Sequence, residues 1–182
     1  MQQKAYNLHM PIMPAWALAL NYGFHLLATV LWIGGLATLT LVTWPGLLSA
    51  AGDDEISANH AADAIERRFR PVANISLVVL LVTGMLQMGG DPHYQGFLQI
   101  ADLWSVGLLV KHIIYGGMLL VTAILQLGVQ PALSQAQLLA RRGSPDGAEQ
   151  ERVLRSRLMW LTRLNLVLGL LVLVLTAVIT AL

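Results

Sequence analysis

The chain has 182 residues, of which 56% are hydrophobic and 12% charged, with a formal net charge of +1. A charged share about half that of soluble domains, combined with apolar runs longer than ~18 residues, excludes a soluble globular protein and predicts a helical one that crosses a membrane several times. Cysteine is absent, which excludes disulfides, iron–sulfur clusters and thiolate metal sites; no basic stripe or nucleic-acid motif is present, so nucleic acid is not an expected partner.

In chain order, Met1–Met13 is a short polar tail, and Pro14 suits the first turn of a helix. The first span is expected at about 15–44, where Pro45-Gly46 ends it. Glu55–Arg70 suits a short surface helix, and Pro71 opens the second span, about 71–88. Gly89-Gly90-Asp91-Pro92 is a clear break. The third span is about 103–129, with Pro131 kinking its exit. Ser144-Pro145-Asp146-Gly147 has the residues of a turn, and from Ala148 one long helix leads into the fourth span, about 158–182. The expectation is a single all-α domain over 1–182: an integral membrane four-helix bundle, up-down-up-down. No internal repeat is evident in the residues.

Lys and Arg fix the expected orientation. The first loop carries Arg67, Arg68 and Arg70, and the third carries Arg141, Arg142, Arg152, Arg155 and Arg157; the second loop and the C-terminus carry none, and the N-terminal tail only Lys4. This predicts both termini outside (N-out, C-out) in a bacterial inner membrane, with the lipid bilayer as the first partner. Sequential antiparallel neighbours put spans one and three diagonally across the bundle, parallel to each other and on the order of 11–14 Å apart.

Ionisable residues in hydrocarbon are costly and therefore mark function. His25, in GFHLLATVLWIGG, lies nine residues after Trp16; His112, in GLLVKHIIYGG, lies eight after Trp104. Both imidazoles then sit roughly 12–14 Å below a tryptophan that marks the interface. Matched depth on diagonal helices suggests two axial ligands to one haem b, with Gly23, Gly107 and Gly116 leaving room for the porphyrin and Trp32 and Tyr115 among the lining residues. Lys111 pairs with a propionate in that reading, or is itself the second ligand. A proton relay and two purely structural histidines are the competing readings. Thr83 and Gln87 could line a cofactor or quinone pocket. A separate group on the outer side, His9, Met10, Met13, Met88 and His93, offers thioether and imidazole ligands suited to copper.

HLLATVLWIGGL resembles the first helix of CopD-like membrane domains, where a His precedes W-x-G-G; LWSVGLLVKHIIYGGMLL is similar to that family's helix with a Lys in L-L-x-K; and RLNLVLGLLVLVL is similar to its last helix. The resemblance covers most of the four spans. It singles out His25, Trp32, Gly34, Gly35 and Lys111, while His112 is outside the motif. More distantly the pattern is similar to HemJ, a haem-binding protoporphyrinogen oxidase that also pairs a first-helix His with a later Lys. The residues taken alone favour a b-type cytochrome-like protein that exchanges electrons near the outer face with a quinol or another redox subunit. The CopD resemblance implies copper uptake or handling, and a non-catalytic subunit is the third reading. The orientation has a direct check. Single cysteines replacing His93 and Pro145 are expected to differ toward an impermeant thiol reagent applied from outside, with position 93 labelled and position 145 protected; the reverse pattern inverts the topology.

Overall fold

The structure, a computed structural model, describes residues 14–52, 54–90 and 103–180. All of its elements are helical: α1 (Ala15–Ala37), α2 (Trp44–Ala51), α3 (Glu55–Gly89), α4 (Leu103–Ala123), α5 (Gln130–Arg141) and α6 (Pro145–Thr180). Short π-helical segments, Thr38–Thr43 and Ile124–Val129, join α1 to α2 and α4 to α5. Four long apolar rods result, Ala15–Ala51, Ile56–Gly89, Leu103–Arg141 and Pro145–Thr180, each long enough to cross a bilayer. The chain is an all-α, multi-pass membrane protein.

The rods are longer than the apolar runs, because the helices run on through Pro45, Pro71 and Pro131, of which the sequence suggests that Pro45 ends a span and Pro71 opens one. Pro45 and Pro131 each follow a π segment. Proline lacks an N–H and crowds the carbonyl four residues back. The chain absorbs this by widening one turn: the N–H of Trp44 bonds Leu39 O and that of Gln130 bonds Leu125 O, five residues back in each case. Pro45 therefore sits inside a continuing rod, not at its end. Pro71 likewise lies within α3. The segment before it stays helical because Asp63 bonds Gln137 and Arg155, and Glu66 bonds Gln130, tying it to α5 and α6. The last rod begins at Pro145 itself, at N1, with the Ser144 hydroxyl accepting from Gly147 N–H at 3.4 Å.

The structure also contains a repeat that the residues do not show. Thr38–Thr43 recurs 86 positions later as Ile124–Val129, and at the same offset Pro45 recurs as Pro131, Leu39 as Leu125, and Trp32 as Met118. Trp32 and Met118 are both 2% exposed. In the second rods the offset is 89: Ala73 and Thr162, Ser76 and Asn165, Leu77 and Leu166 are all buried. The turns match as well. Gly52 and Gly143 both take positive φ, +54° and +81°, which glycine adopts without steric cost, and each is followed by a capping side chain, Asp54 or Ser144. The Ser57 hydroxyl and then its N–H, both donating to Asp54, hold that carboxyl below its ordinary range. The molecule is thus two helix pairs, 15–89 and 103–180.

Packing follows from this arrangement. α1 lies against α3, α4 against α6 and α1 against α6, while the Tyr115 hydroxyl on α4 donates to Leu77 O on α3 at 2.6 Å. The ring closes with α1 and α4 diagonally opposed, as expected for spans one and three. One core cluster, Trp32, Leu36, Ala73, Leu77, Met118 and Leu166, fills the middle; a second, including Trp44, Ala62, Leu125, Leu133 and Leu158, fills the inner end, inner in the orientation expected from the loop charges.

Gly35 sets the α1–α3 approach. A Cβ there would collide with the Phe69 ring. Gly35→Ala is expected to cost about 1–3 kcal/mol through overpacking, read as earlier thermal unfolding in detergent, and Phe69→Leu in the same background is expected to recover much of the loss.

Candidate functional site

Four apolar rods leave little room for polar side chains, so those that point inward are informative. On α1 the inward stripe is Asn21, His25, Ala28, Trp32 and Leu36, at helical spacing. His25 faces Thr83 on α3: its Nδ1 lies 2.7 Å from Thr83 Oγ1, and its Cε1 lies beside Gly84, where even an added Cβ would stay 3.6 Å away. Asn21, one turn nearer the outside, donates to Thr83 O at 3.2 Å.

The tautomer of His25 follows from Thr83. The Thr83 hydroxyl has one proton and gives it to Val79 O at 2.5 Å. Toward His25 it must then accept, so His25 carries its proton on Nδ1 and keeps the Nε2 lone pair. A histidine fixed through Nδ1 in this way has its other nitrogen prepared as an acceptor or metal ligand.

On α4 the inward stripe is Lys111, Tyr115, Met118 and Thr122. Lys111 is half-buried and close enough to His25 to act on it electrostatically. It also stands at the same 86-residue offset from His25. Gln87, one turn outward of Thr83, and Thr176 on α6 are inward-facing at the same end. Inward polar side chains of all four rods thus collect at this end, the outer half in the orientation expected from the loop charges.

His112 is placed differently. One position beyond Lys111, it lies about 100° farther round the helix. Its Nδ1 donates back to Leu108 O on its own helix at 2.7 Å. Lys111 shares the stripe of Tyr115 and Met118, while His112, also half-buried, lies to one side of it. The glycines expected to make room for a porphyrin do not open the interior either. Gly23 and Gly116 are exposed on the outer surfaces of their helices, and Gly107 packs against Ile179 on α6. Trp32 lies in the central cluster, and its indole N–H finds no acceptor among the described residues. Of the outer Met and His group, Met88 is buried at the end of α3; His9, Met10, Met13 and His93 lie outside the described residues.

The inner end is polar for another reason. Asp63 accepts from Arg155 at 3.0 Å and from Gln137 at 2.8 Å, and Arg155 also reaches Glu151 at 3.0 Å. Both side chains of the Asp63–Arg155 pair are less than 15% exposed. Next to them a cleft of about 230 Å³ is lined by Trp44, Ala58, Asn59, Leu158 and Met159. The network crosses the bundle from α3 to α6 and ties α5 to both, which makes it the fastening of the inner ends. Asp63→Ala leaves the largely buried Arg155 guanidinium with Glu151 alone and removes the acceptor of Gln137, and is expected to destabilise the protein by roughly 3 kcal/mol. Replacing Asp63 and Arg155 together by Leu and Met is expected to recover most of that in thermal unfolding.

Of the residues singled out in the sequence, His25, Lys111, Thr83, Gln87 and Trp32 lie on the inward faces of their helices. The sequence did not single out Asn21, a mid-ranking polar residue in a helix of otherwise apolar character, and the orientation of Asn165 depends on a partner on another rod, Thr122.

Compared with known families, the chain matches a model described as copper resistance protein D, CopD, over residues 63–179. The match takes in Lys111, His112, Met118 and Asn165, and begins after the helix that carries His25. No curated protein and no solved structure matches the chain. The family description carries copper and not haem, so the copper reading gains support and the haem and electron-transfer reading gains none.

Proposed function

We propose that this chain, which belongs to the copper resistance protein D (CopD) family, handles copper in the bacterial inner membrane and takes monovalent copper as its cargo among the outer polar side chains, at His25. The observation that carries this reading is the hydrogen-bond relay His25 Nδ1–H to Thr83 to Val79 O. It fixes the ring, fixes the tautomer and leaves Nε2 as the ligand atom, which is the arrangement found around metal-binding histidines generally. Imidazole and thioether, the soft donors available to a chain without cysteine, suit Cu(I).

Lys111 gives the site its selectivity. An ammonium near the metal repels a divalent ion twice as strongly as a monovalent one, and in a partly buried site this difference is on the order of a few kcal/mol. The site thus favours Cu(I) over Cu(II) and Zn(II). Tyr115, held by Leu77 O, keeps the α3–α4 side closed beneath it.

Purified protein titrated with Cu(I) under reducing conditions is expected to bind it, and His25→Ala to lose the outer-site affinity. Thr83→Val keeps the side-chain shape but removes the acceptor, and is expected to weaken binding roughly 10–100-fold. Lys111→Met is expected to gain at least about tenfold in divalent affinity relative to Cu(I). Wild-type protein that binds no Cu(I), or a His25→Ala variant that binds it unchanged, overturns the reading.

A further inference from the structure

The two helix pairs meet along two seams of different character. On one side α1 lies against α6, with Ile33 close over Gly169. On the other, α3 and the rod formed by α4 and α5 approach least closely of the neighbouring rods. Long polar side chains cross that seam instead. Gln126 and Asn74 exchange two hydrogen bonds, 3.1 and 2.6 Å; Gln130 bonds Glu66, and Gln137 bonds Asp63. The Asn74–Gln126 pair is exposed on the seam, one turn inside the second span as the sequence delimits it.

Polar atoms beside this pair are left bare. Gln130 Oε1 and Arg70 Nε are buried and find no partner among the described residues. The backbone carbonyl of Gln126 is a third. An ordinary α-turn would give it the N–H of Gln130, but that N–H goes to Leu125 O, and the next residue, Pro131, has none. Gln126 and Gln130 both reach across to α3, so the carbonyl between them lies on the seam side. Hydrocarbon tails answer none of these atoms, and a bare polar group among them is costly. Water answers all three, because it both donates and accepts. The seam also runs out at the end where the loops carry arginine, which the loop charges place in the cytosol. Farther toward the outside it is closed by Tyr115, bonded to Leu77 O and packed on the central cluster.

We propose that the inner half of the seam between α3 and the α4–α5 rod is a water-filled vestibule, which reaches from the cytosol to the Asn74–Gln126 pair and ends below Tyr115, short of His25. The vestibule goes beyond the copper reading and does not depend on it. Lipid, or a helix of another membrane protein, is the competing occupant.

The chain has no cysteine, so single cysteines report on a silent background. Asn74→Cys and Gln126→Cys are compared with Ile75→Cys and Leu127→Cys, the next residue on each helix; Ile75 and Leu127 are 64% and 81% exposed on the outer surface of the bundle. A charged methanethiosulfonate is applied to the cytosolic face in inside-out membrane vesicles. Only a thiolate reacts, and a thiol among hydrocarbon stays protonated, so positions 74 and 126 are expected to react at least about tenfold faster than 75 and 127. Water-edited solid-state NMR of the unaltered protein in bilayers needs no variant. The side-chain amides of Asn74 and Gln126 are expected to gain signal quickly from water, and the methyl groups of Leu127 slowly. Amides that gain no signal from water overturn the vestibule. So do thiols at 74 and 126 no faster than their neighbours, in protein that unfolds at the wild-type temperature; lipid or a partner helix then covers the seam.

Discussion

Inside a bilayer no solvent answers a polar group, and this one constraint orders most of what the structure shows. The threonines illustrate it. Thr29, Thr38, Thr40, Thr122, Thr162 and Thr176 each turn the hydroxyl back onto the carbonyl four residues earlier, removing a donor from the hydrocarbon without needing another helix. Thr83 and Thr122 do this and then accept from a neighbour as well, His25 in one case and Asn165 in the other. A hydroxyl whose proton is already committed dictates what its partner must be. Two threonines thus determine the tautomer of a histidine and the orientation of an amide, and with them the direction in which each side chain can accept a ligand.

Much of the fold is legible in the sequence because the hydrocarbon constraint writes itself as long apolar runs, and the four rods, their alternation and the diagonal placement of the first and third follow from that. The prolines mislead for a local reason. In water a proline ends a helix at little cost, whereas here an ended helix would leave bare carbonyls near lipid, so the chain widens a turn before Pro45 and Pro131 and fastens the segment before Pro71 with Asp63 and Glu66. Depth alone cannot tell Lys111 from His112, since they differ by 1.5 Å along the axis but by about 100° around it. Only the position of the buried stripe, set by Met118, Leu125 and Val129, decides which of them lies on it.

The repeat is hidden from the sequence for a related reason. The correspondence keeps where the turn widens, where the glycine turns back and some of the buried positions, but hardly any residue identities: Trp32 matches Met118, Ser76 matches Asn165, Glu66 matches Arg155. Burial constrains polarity and size only loosely, so matching positions carry unlike chemistries. A symmetric pair of sites would bind alike on both sides; the unlike pair His25 and Lys111 makes one site with a ligand atom on one side and a charge on the other.

The tight turns at Gly52 and Gly143 carry a consequence for biogenesis. Each joins two antiparallel rods into a hairpin whose contacts are mostly internal to it, α1 and α2 with α3, and α4 and α5 with α6. A hairpin of that kind hides its backbone and its inward stripe as soon as both arms exist, so the translocation machinery can release it as a unit. The first pair would then wait in the bilayer as a template on which the second docks. A chain assembled this way should tolerate being synthesised as two polypeptides, broken within residues 90–102, with the halves finding each other in the membrane.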